Sequence, residues 1–451
     1  MDQVTLNIRK AYDCDVLVVG GGVSGVSAAV NAARGGAKVI LCEAGGVLGG
    51  TATKGLVGPF MTCYDQAGKT QIVRGFFEEF VDRMIAKGGA VSYRDCPGND
   101  SRSGYRIRGH IGVTPFSAET FKVVADEVCR EAGVTVLFHS TLVACETEGE
   151  RITCGYFANV EGLDRITAKV FIDTTGNASL CARAGAGVFR GDAEGFVQTA
   201  SMFFQITDVD KETLDAYMAE HTDMRGRFFM DLIQEAHDRG EFPCGTQKLR
   251  IYEGMNGIWT VNMAQEDEEV NDLDVEALSR AEMRQRVQIG AIFSFLKNNI
   301  PGLEKIRLVA SASDIGIRES RRMIGKAMLT GEDVAKCRYA DEQVVVCANS
   351  IDIHQSVGVA YTEYKNEANY YIPLSALLSR DRSNLLGAGK CVSADLYAFA
   401  AIRVMPPCFA MGEAAGITAA LAVRKGCEPW DVPVSDVQKK ILENGGYLEL
   451  S

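Results

Sequence analysis

Hydrophobic positions along this chain change period from block to block, and each period predicts an element. DVLVVG (Asp15 to Gly20) is a short apolar β-rich run, VSGVSAAVNAAR (Val23 to Arg34) is small and helical, and AKVILCE (Ala37 to Glu43) is a second strand. Together they predict a βαβ unit of 29 residues. Phe77, Phe80, Val81, Met84 and Ile85 then recur at helical spacing and stop at Gly88-Gly89. The polar, arginine-rich stretch from Val91 to Ile111 reads as a long loop, with Tyr105, Arg106, Arg108 and His110 as residues that could line a substrate site or simply be exposed. A helix over SAETFKVVADEVCREAG and a strand over VTVLFH follow. Next come two alternating runs, STLVACETEG and ERITCGYFANV, which predict a hairpin turning at Gly149. TAKVFIDTTGNASLCARAGA adds a strand, a Thr-Thr-Gly turn and a small-residue helix.

From about Phe203 the pattern becomes irregular. Charged helices are predicted over Lys211 to Glu220, Arg225 to Arg239 and Ala277 to Asn298, with Trp259 between them. The acidic run EDEEVNDLDVE is read as the solvated start of the last of these helices. After Ile306 the chain returns to glycine-punctuated α/β character. The domain reading is therefore 1–197, then an insertion over 198–305, then 306–451. No internal repeat or low-complexity tract interrupts it.

Composition narrows the function. At 451 residues with 47% hydrophobic content, a large core can form without metals or disulfides. Fifty-nine acidic residues against 47 basic ones give a net charge of −12, so no broad field attracts nucleic acid. The 14 cysteines are scattered with no CxxC and no signal-peptide pattern, which predicts reduced thiols in a cytoplasmic protein and no bound metal. DVLVVGGGVSGVSAAV is too short and too rich in glycine for a membrane span.

Gly20-Gly21-Gly22-Val23-Ser24-Gly25 satisfies GxGxxG between a strand and a helix, and Glu43 closes the next strand 18 residues after Gly25. Gly20 permits the tight turn, Gly22 a close approach to a pyrophosphate, and Gly25 close packing of helix on strand. Ser24 opens the helix, and Glu43 is placed to accept hydrogen bonds from an adenosine ribose. NAD and FAD share that ADP half, so the motif by itself leaves both open.

The remaining motifs go further. LGGTATKGLVGPF, IDTTGNASLCARAGA, IRESRRMIG, IDIH and NLLGAGKCVSADLYAFAAIRVMPPCFAMGEAAGITAALA together resemble the FAD-dependent oxidoreductase family, whose FAD-binding domain is related to those of fumarate reductase flavoproteins and glutathione reductase. The resemblance implies an α/β fold: a discontinuous Rossmann-like FAD-binding domain, with a parallel sheet, helices and a small antiparallel crossover sheet, into which an α+β cap is inserted. It also implies FAD as cofactor, with Gly50, Thr51, Val143, Thr175, Gly176, Gly389, Arg403, Gly412 and Ala415 joining the GxGxxG residues around it. Small residues in Pro406 to Ala422 would admit a cofactor at backbone distance, but would equally suit a tightly packed helix pair. The stretch Asp395-Leu396-Tyr397-Ala398 lacks a histidine expected of the family there, which puts the substrate in question.

Three residues stand out as catalytic. His354, two residues from Asp352, is a base near neutral pH or a histidine fixed by that neighbour. Arg318 and Arg322, four apart, would share one face of a helix, either clamping an anion or bracing the cap. Cys63 and Cys408 have no CxxC partner, so a redox disulfide is not expected. The expected function is hydride transfer between flavin N5 and a small polar substrate, oxidation favoured, with an unidentified electron donor or acceptor and self-association left open. Reduction of an activated C=C bond and an electron-carrying flavin subunit are the alternatives.

Overall fold

The N-terminal unit forms as its period predicts: β1 (Ile8–Val19), α1 (Val23–Arg34) and β2 (Val39–Cys42), with β1 and β2 parallel. The computed structural model describes residues 5–61, 63–95, 112–221, 230–242, 250–266, 269–338, 341–354, 359–360 and 368–450. β1 starts at Ile8, well before the apolar run, because β6 (Gly162–Asp173) pairs with it along nearly its whole length. The early residues of β1 are exposed, so their hydropathy carries no signal.

Two helices pack nearby, α2 (Phe76–Ala86) and α3 (Ala118–Glu131), the latter capped by Ser117, whose hydroxyl accepts from the Thr120 amide. After them come β3 (Thr135–Leu137), β4 (Thr141–Glu148) and β5 (Arg151–Asn159), with the hairpin turning at Gly149 in the left-handed region. The strands line up β3-β2-β1-β6-β5-β4, and β6 is long enough for two neighbours on one side. Its first half pairs antiparallel with β5, and its last three residues pair parallel with Leu385–Gly387. Thus the second half of the chain completes the sheet that the first half began.

A separate four-stranded antiparallel sheet runs in the order Arg307–Ser311, Ser201–Thr207, Trp259–Gln265, Ile251–Glu253. With helices Lys211–Glu220, Met230–Asp238 and Val275–Asn299 it has its own buried cluster, from Ala200 to Ile315. The acidic run is not all solvated. Glu266 is buried on Arg284 and Gln285, and the side chain of Asp272, 5% exposed, lies beside Arg190 and Ser320, while Asp274 alone caps the long helix. A run of carboxylates hides this difference because sequence charge does not record which cations the fold brings to it.

IRESRR is likewise not helical. Gly316 bridges Ser201, and Arg322–Met323 forms a short ladder with Val188–Phe189, so the segment is extended. Partners distant in sequence override the helical spacing.

The first core is organised by the long helix Met405–Lys425, which begins with Pro406 and Pro407 in its first turn and ends at Gly426 in the left-handed region. Side chains added at Gly412 and Gly416 would fall 2.3 Å from the Ser24 and Ala28 carbonyls, so this helix touches α1 backbone to backbone. Phe409 fills the other face, its ring centroid 5.2 Å from that of Phe80 and 5.5 Å from that of Phe77. Among the described residues this is one helix long and apolar enough to cross a membrane, and 89% of its apolar window is buried inside the protein.

One carboxylate interrupts that helix. Glu413 is 4% exposed and accepts from the Phe76 amide at the start of α2 and from Asn444. Burial pushes it up to about 7, the Phe76 amide opposing. The folded chain therefore holds this proton where the unfolded chain has lost it, and stability falls as pH rises from the ordinary carboxylate range through about 7. Glu413→Gln keeps an acceptor for Phe76 without the charge. We expect it to gain about 2–3 kcal/mol over the parent at pH 8 and almost nothing at pH 4.5, read from denaturant midpoints across pH; a pH-independent difference would sink this account.

Candidate functional site

The glycines of the first turn have different duties. Gly20 is left-handed, and a side chain there would strike the Thr174 carbonyl at 2.6 Å; one at Gly25 would lie 1.9 Å from the Gly20 carbonyl. Gly22 has an ordinary φ of −68°, and a side chain there would meet nothing within 4 Å. No side chain caps α1, so its first N–H groups and positive dipole end remain for a ligand.

Other predicted residues gather around this turn. The Gly49 amide donates to the Gly21 carbonyl at 2.8 Å, and the free side of Gly50 is 3.2 Å from the Gly22 Cα, with Thr51 exposed beside it. Gly389 is left-handed, and a side chain there would sit 2.3 Å from the Ser24 hydroxyl. Thr175 and Gly176 form the turn after β6. Asp173, fully buried, fixes it by accepting from the Thr175 amide and hydroxyl on Oδ1 and from the Cys181 amide on Oδ2. Glu43 is heavily engaged: Oε2 accepts from the Gly21 amide at 2.7 Å, and Oε1 accepts from the Gly45 amide and pairs with Lys54 Nζ at 3.2 Å.

A second group lies on the seam between the two buried clusters. Arg318 is 9% exposed and donates to the Thr199 carbonyl at 2.7 Å. Burial, then the like charges of Arg403 and Arg250, pull its guanidinium down to about 9, with Asp352 opposing. Arg403 donates to the Asp352 carbonyl at 2.9 Å and to Gln198, and its Nε has no acceptor among the described residues. Arg250, also 9% exposed, immediately precedes the strand Ile251–Glu253 of the inserted sheet. Lys390 donates to the Ile317 carbonyl, and burial lowers its pKa.

The model of the family described as FAD dependent oxidoreductase matches residues 15–441. The chain belongs to that family. Its cofactor is FAD. Among curated proteins nothing matches. Solved structures similar to this flavoprotein include a geranylgeranyl bacteriochlorophyll reductase-like protein of Thermoplasma acidophilum, with 13% identity, 97% of this chain and 84% of that chain covered and a TM-score of 0.46. Another is the p-nitrophenol 4-monooxygenase PnpA of Pseudomonas putida, with 12% identity, coverage of 96% and 85%, and a TM-score of 0.47. The flavin-dependent brominase Bmp2 matches at 13% identity, coverage of 95% and 83%, and a TM-score of 0.48.

The flavoprotein's first turn fits the dinucleotide half of FAD. Open space over Gly22, uncapped N–H groups on α1 and the approach of Gly50 together form a cradle that a pyrophosphate can fill. Three donors already reach Glu43, so a ribose hydroxyl finds less acceptor capacity there than the strand-end position suggests. Gly412 and Ala415 are a different matter. The small side of Gly412 is occupied by α1 and Ala415 is fully buried, so the helix-pair reading accounts for both. Val143 is 45% exposed on β4, just after His139 and Ser140, whose amides donate to the Gly45 and Glu43 carbonyls.

Arg322 is not available for catalysis. It is fully buried, paired with Glu319 at 2.8 Å and flanked by the rings of Phe189 and Phe399 at 4.6 and 5.0 Å. The backbone of His354 pairs with Val359, while its side chain, like Tyr105, Arg106, Arg108 and His110, lies outside the described residues. Asp395, in the stretch lacking the family histidine, caps a helix through the Ala398 amide and holds the Gly331 amide. Burial pushes the thiols of Cys63 and Cys408 up to about 12, which leaves them unreactive. Sequence reasoning missed Asp173, Lys54 and Arg250. Asp173 stood in a quoted motif at a strand end, but Arg250 sits in an irregular stretch with no pattern to mark it.

The two glycines supply a test. Gly22→Ala should leave the melting temperature within about 2 °C while lowering FAD retention at least tenfold, measured by flavin absorbance after gel filtration. Gly25→Ala should instead lose the fold itself, since its side chain has no room. Equal FAD retention in Gly22→Ala and the parent would refute the cradle.

Proposed function

We propose that this flavoprotein transfers a hydride between its flavin and a small substrate bearing a hydroxyl or amine beside a carboxylate, oxidation favoured, bound where the inserted cap meets the FAD-binding parts; the cap's sheet and buried cluster run on through Arg307–Ser311 to Ile315, past the boundary at 305 that the sequence pattern suggests. One observation carries the reading: the charges of Arg250 and Arg403 both bear on the buried Arg318 at the seam, with Asp352 opposing them. A buried guanidinium beside two like charges is costly, and an anion offsets that cost. Bound FAD supplies the acceptor or donor of the hydride.

The chain's own residues bind and orient. A pKa of about 9 keeps Arg318 charged at neutral pH, and its hydrogen bond to Thr199 fixes one nitrogen while the planar fork can still meet a carboxylate. Arg403 holds the 352–354 segment through the Asp352 carbonyl, which keeps the His354 backbone near the seam. In this reading His354 takes the proton from the substrate's hydroxyl or ammonium group. Electrons leave through an acceptor outside the chain, since Gly387 to Lys390 is spent beside Ser24 and Ile317 and does not form a second cradle.

The lowered pKa of Arg318 also supports a second reading, reduction of an activated C=C bond with this arginine delivering the proton. The two separate in one experiment. Under anaerobic conditions, 2-hydroxy or 2-amino acids should bleach the oxidised flavin, and Arg318→Lys should keep FAD and stability while losing about 100-fold in kcat/KM. Reoxidation of the photoreduced protein by enoates, with no bleaching by any hydroxyl or amine substrate, would establish the second reading and overturn the first.

A further inference from the structure

One short segment touches both the cofactor cradle and the cap. At its start Gly49 and Gly50 lie against Gly21 and Gly22; at its end Leu56, in a left-handed conformation, packs on the cap's buried cluster. Val57 turns back into the first core. Lys54 lies between these ends and is held at both of its own. Its carbonyl accepts from the Ser313 amide at 2.9 Å and from the Ser313 hydroxyl at 3.2 Å. Its Nζ sits between Glu43, at 3.2 Å, and Asp314, at 3.1 Å. Glu43 follows β2 at the edge of the cradle, where its Oε2 accepts from the Gly21 amide, and Ser313 and Asp314 follow the edge strand of the cap sheet.

We propose that Lys54 is a positioning residue that couples FAD occupancy to the seating of the cap. With a single cation shared by two carboxylates, any ligand hydrogen-bonding to Glu43 changes how much of that charge is left for Asp314. A pyrophosphate filling the space over Gly22 also fixes Gly50, to whose carbonyl the Lys54 amide donates at 2.8 Å. Filling the cradle thus orders the segment whose far end is embedded in the cap. Linkage then requires the converse: whatever seats the cap tightens FAD by the same factor.

Amide hydrogen exchange reads this without any turnover. In apo-protein titrated with FAD, we expect exchange at Ser313, Ile315 and Gly316, remote from the cradle, to slow about fivefold or more. Lys54→Met should still bind FAD, more weakly, and lose that protection. Asp314→Asn, which leaves the Lys54–Glu43 pair intact, should hold the FAD affinity within about twofold while reducing the protection at Ser313 to Gly316. If Lys54→Met does not take up FAD, the Asp314→Asn comparison decides. Protection that is absent in the parent, or undiminished in Asp314→Asn or in an FAD-loaded Lys54→Met, overturns the proposal.

Discussion

The N-terminus of α1 is held by contacts between backbones, and the rest of the molecule is arranged around them. Gly25 admits the Gly20 carbonyl, Gly412 admits the Ser24 carbonyl and Gly416 the Ala28 carbonyl, none at a distance that tolerates a side chain. The helix is therefore fixed from below by the strand it follows and from the side by a helix nearly four hundred residues later in the chain. A dinucleotide cradle needs that rigidity, because N–H groups aimed at a pyrophosphate are useful only if they do not reorganise when it arrives. The same requirement explains why the chain must leave the domain and come back: the strand Leu385–Gly387 and the helix Met405–Lys425 complete what β1 and α1 begin.

Charge is distributed with the opposite logic at the seam. In the cradle the polar groups are satisfied: Asp173 has four donors around it, and both Glu43 oxygens are engaged. Along the seam like charges face one another: Arg403 and Arg250 both bear on Arg318, and Arg403 Nε has no acceptor among the described residues. Desolvation lowers the pKa of Arg318, Arg403 and Lys390 alike, because burial disfavours each charged form.

Much of this was legible from sequence because it is local. A strand, a glycine turn and a helix announce themselves by period and by the residues a tight turn permits, so β1 to β2, α2, α3 and the Gly149 hairpin stand where the pattern puts them. What failed was non-local. The acidic run looked uniformly solvated because Arg190, Arg284 and Ser320 lie elsewhere in the chain, and IRESRR looked helical because its partners, Ser201 and Val188–Phe189, are more than a hundred residues away. Small residues in the Met405–Lys425 helix carried two meanings at once, and only the position of α1 separates them for Gly412.

Arg318 and Arg322 show why spacing by itself could not assign the arginines. Both are buried, both are lowered by desolvation, and they stand four residues apart. Yet Arg322 has a carboxylate 2.8 Å away, a carbonyl acceptor in Gly191 and the rings of Phe189 and Phe399 beside its guanidinium, so the nearest charge it meets is an opposite one. Removing it would leave the buried Glu319 with the Gln198 amide but without its closest cation, at a cost of about 3–5 kcal/mol. Arg318 has a backbone carbonyl and two more arginines for company, and the one carboxylate that tempers it also faces Arg403. Arg318 is tied to the Thr199 carbonyl yet opposed by two like charges, whereas the nearest charge to Arg322 is an opposite one, and that difference in surroundings, which spacing does not encode, separates the two.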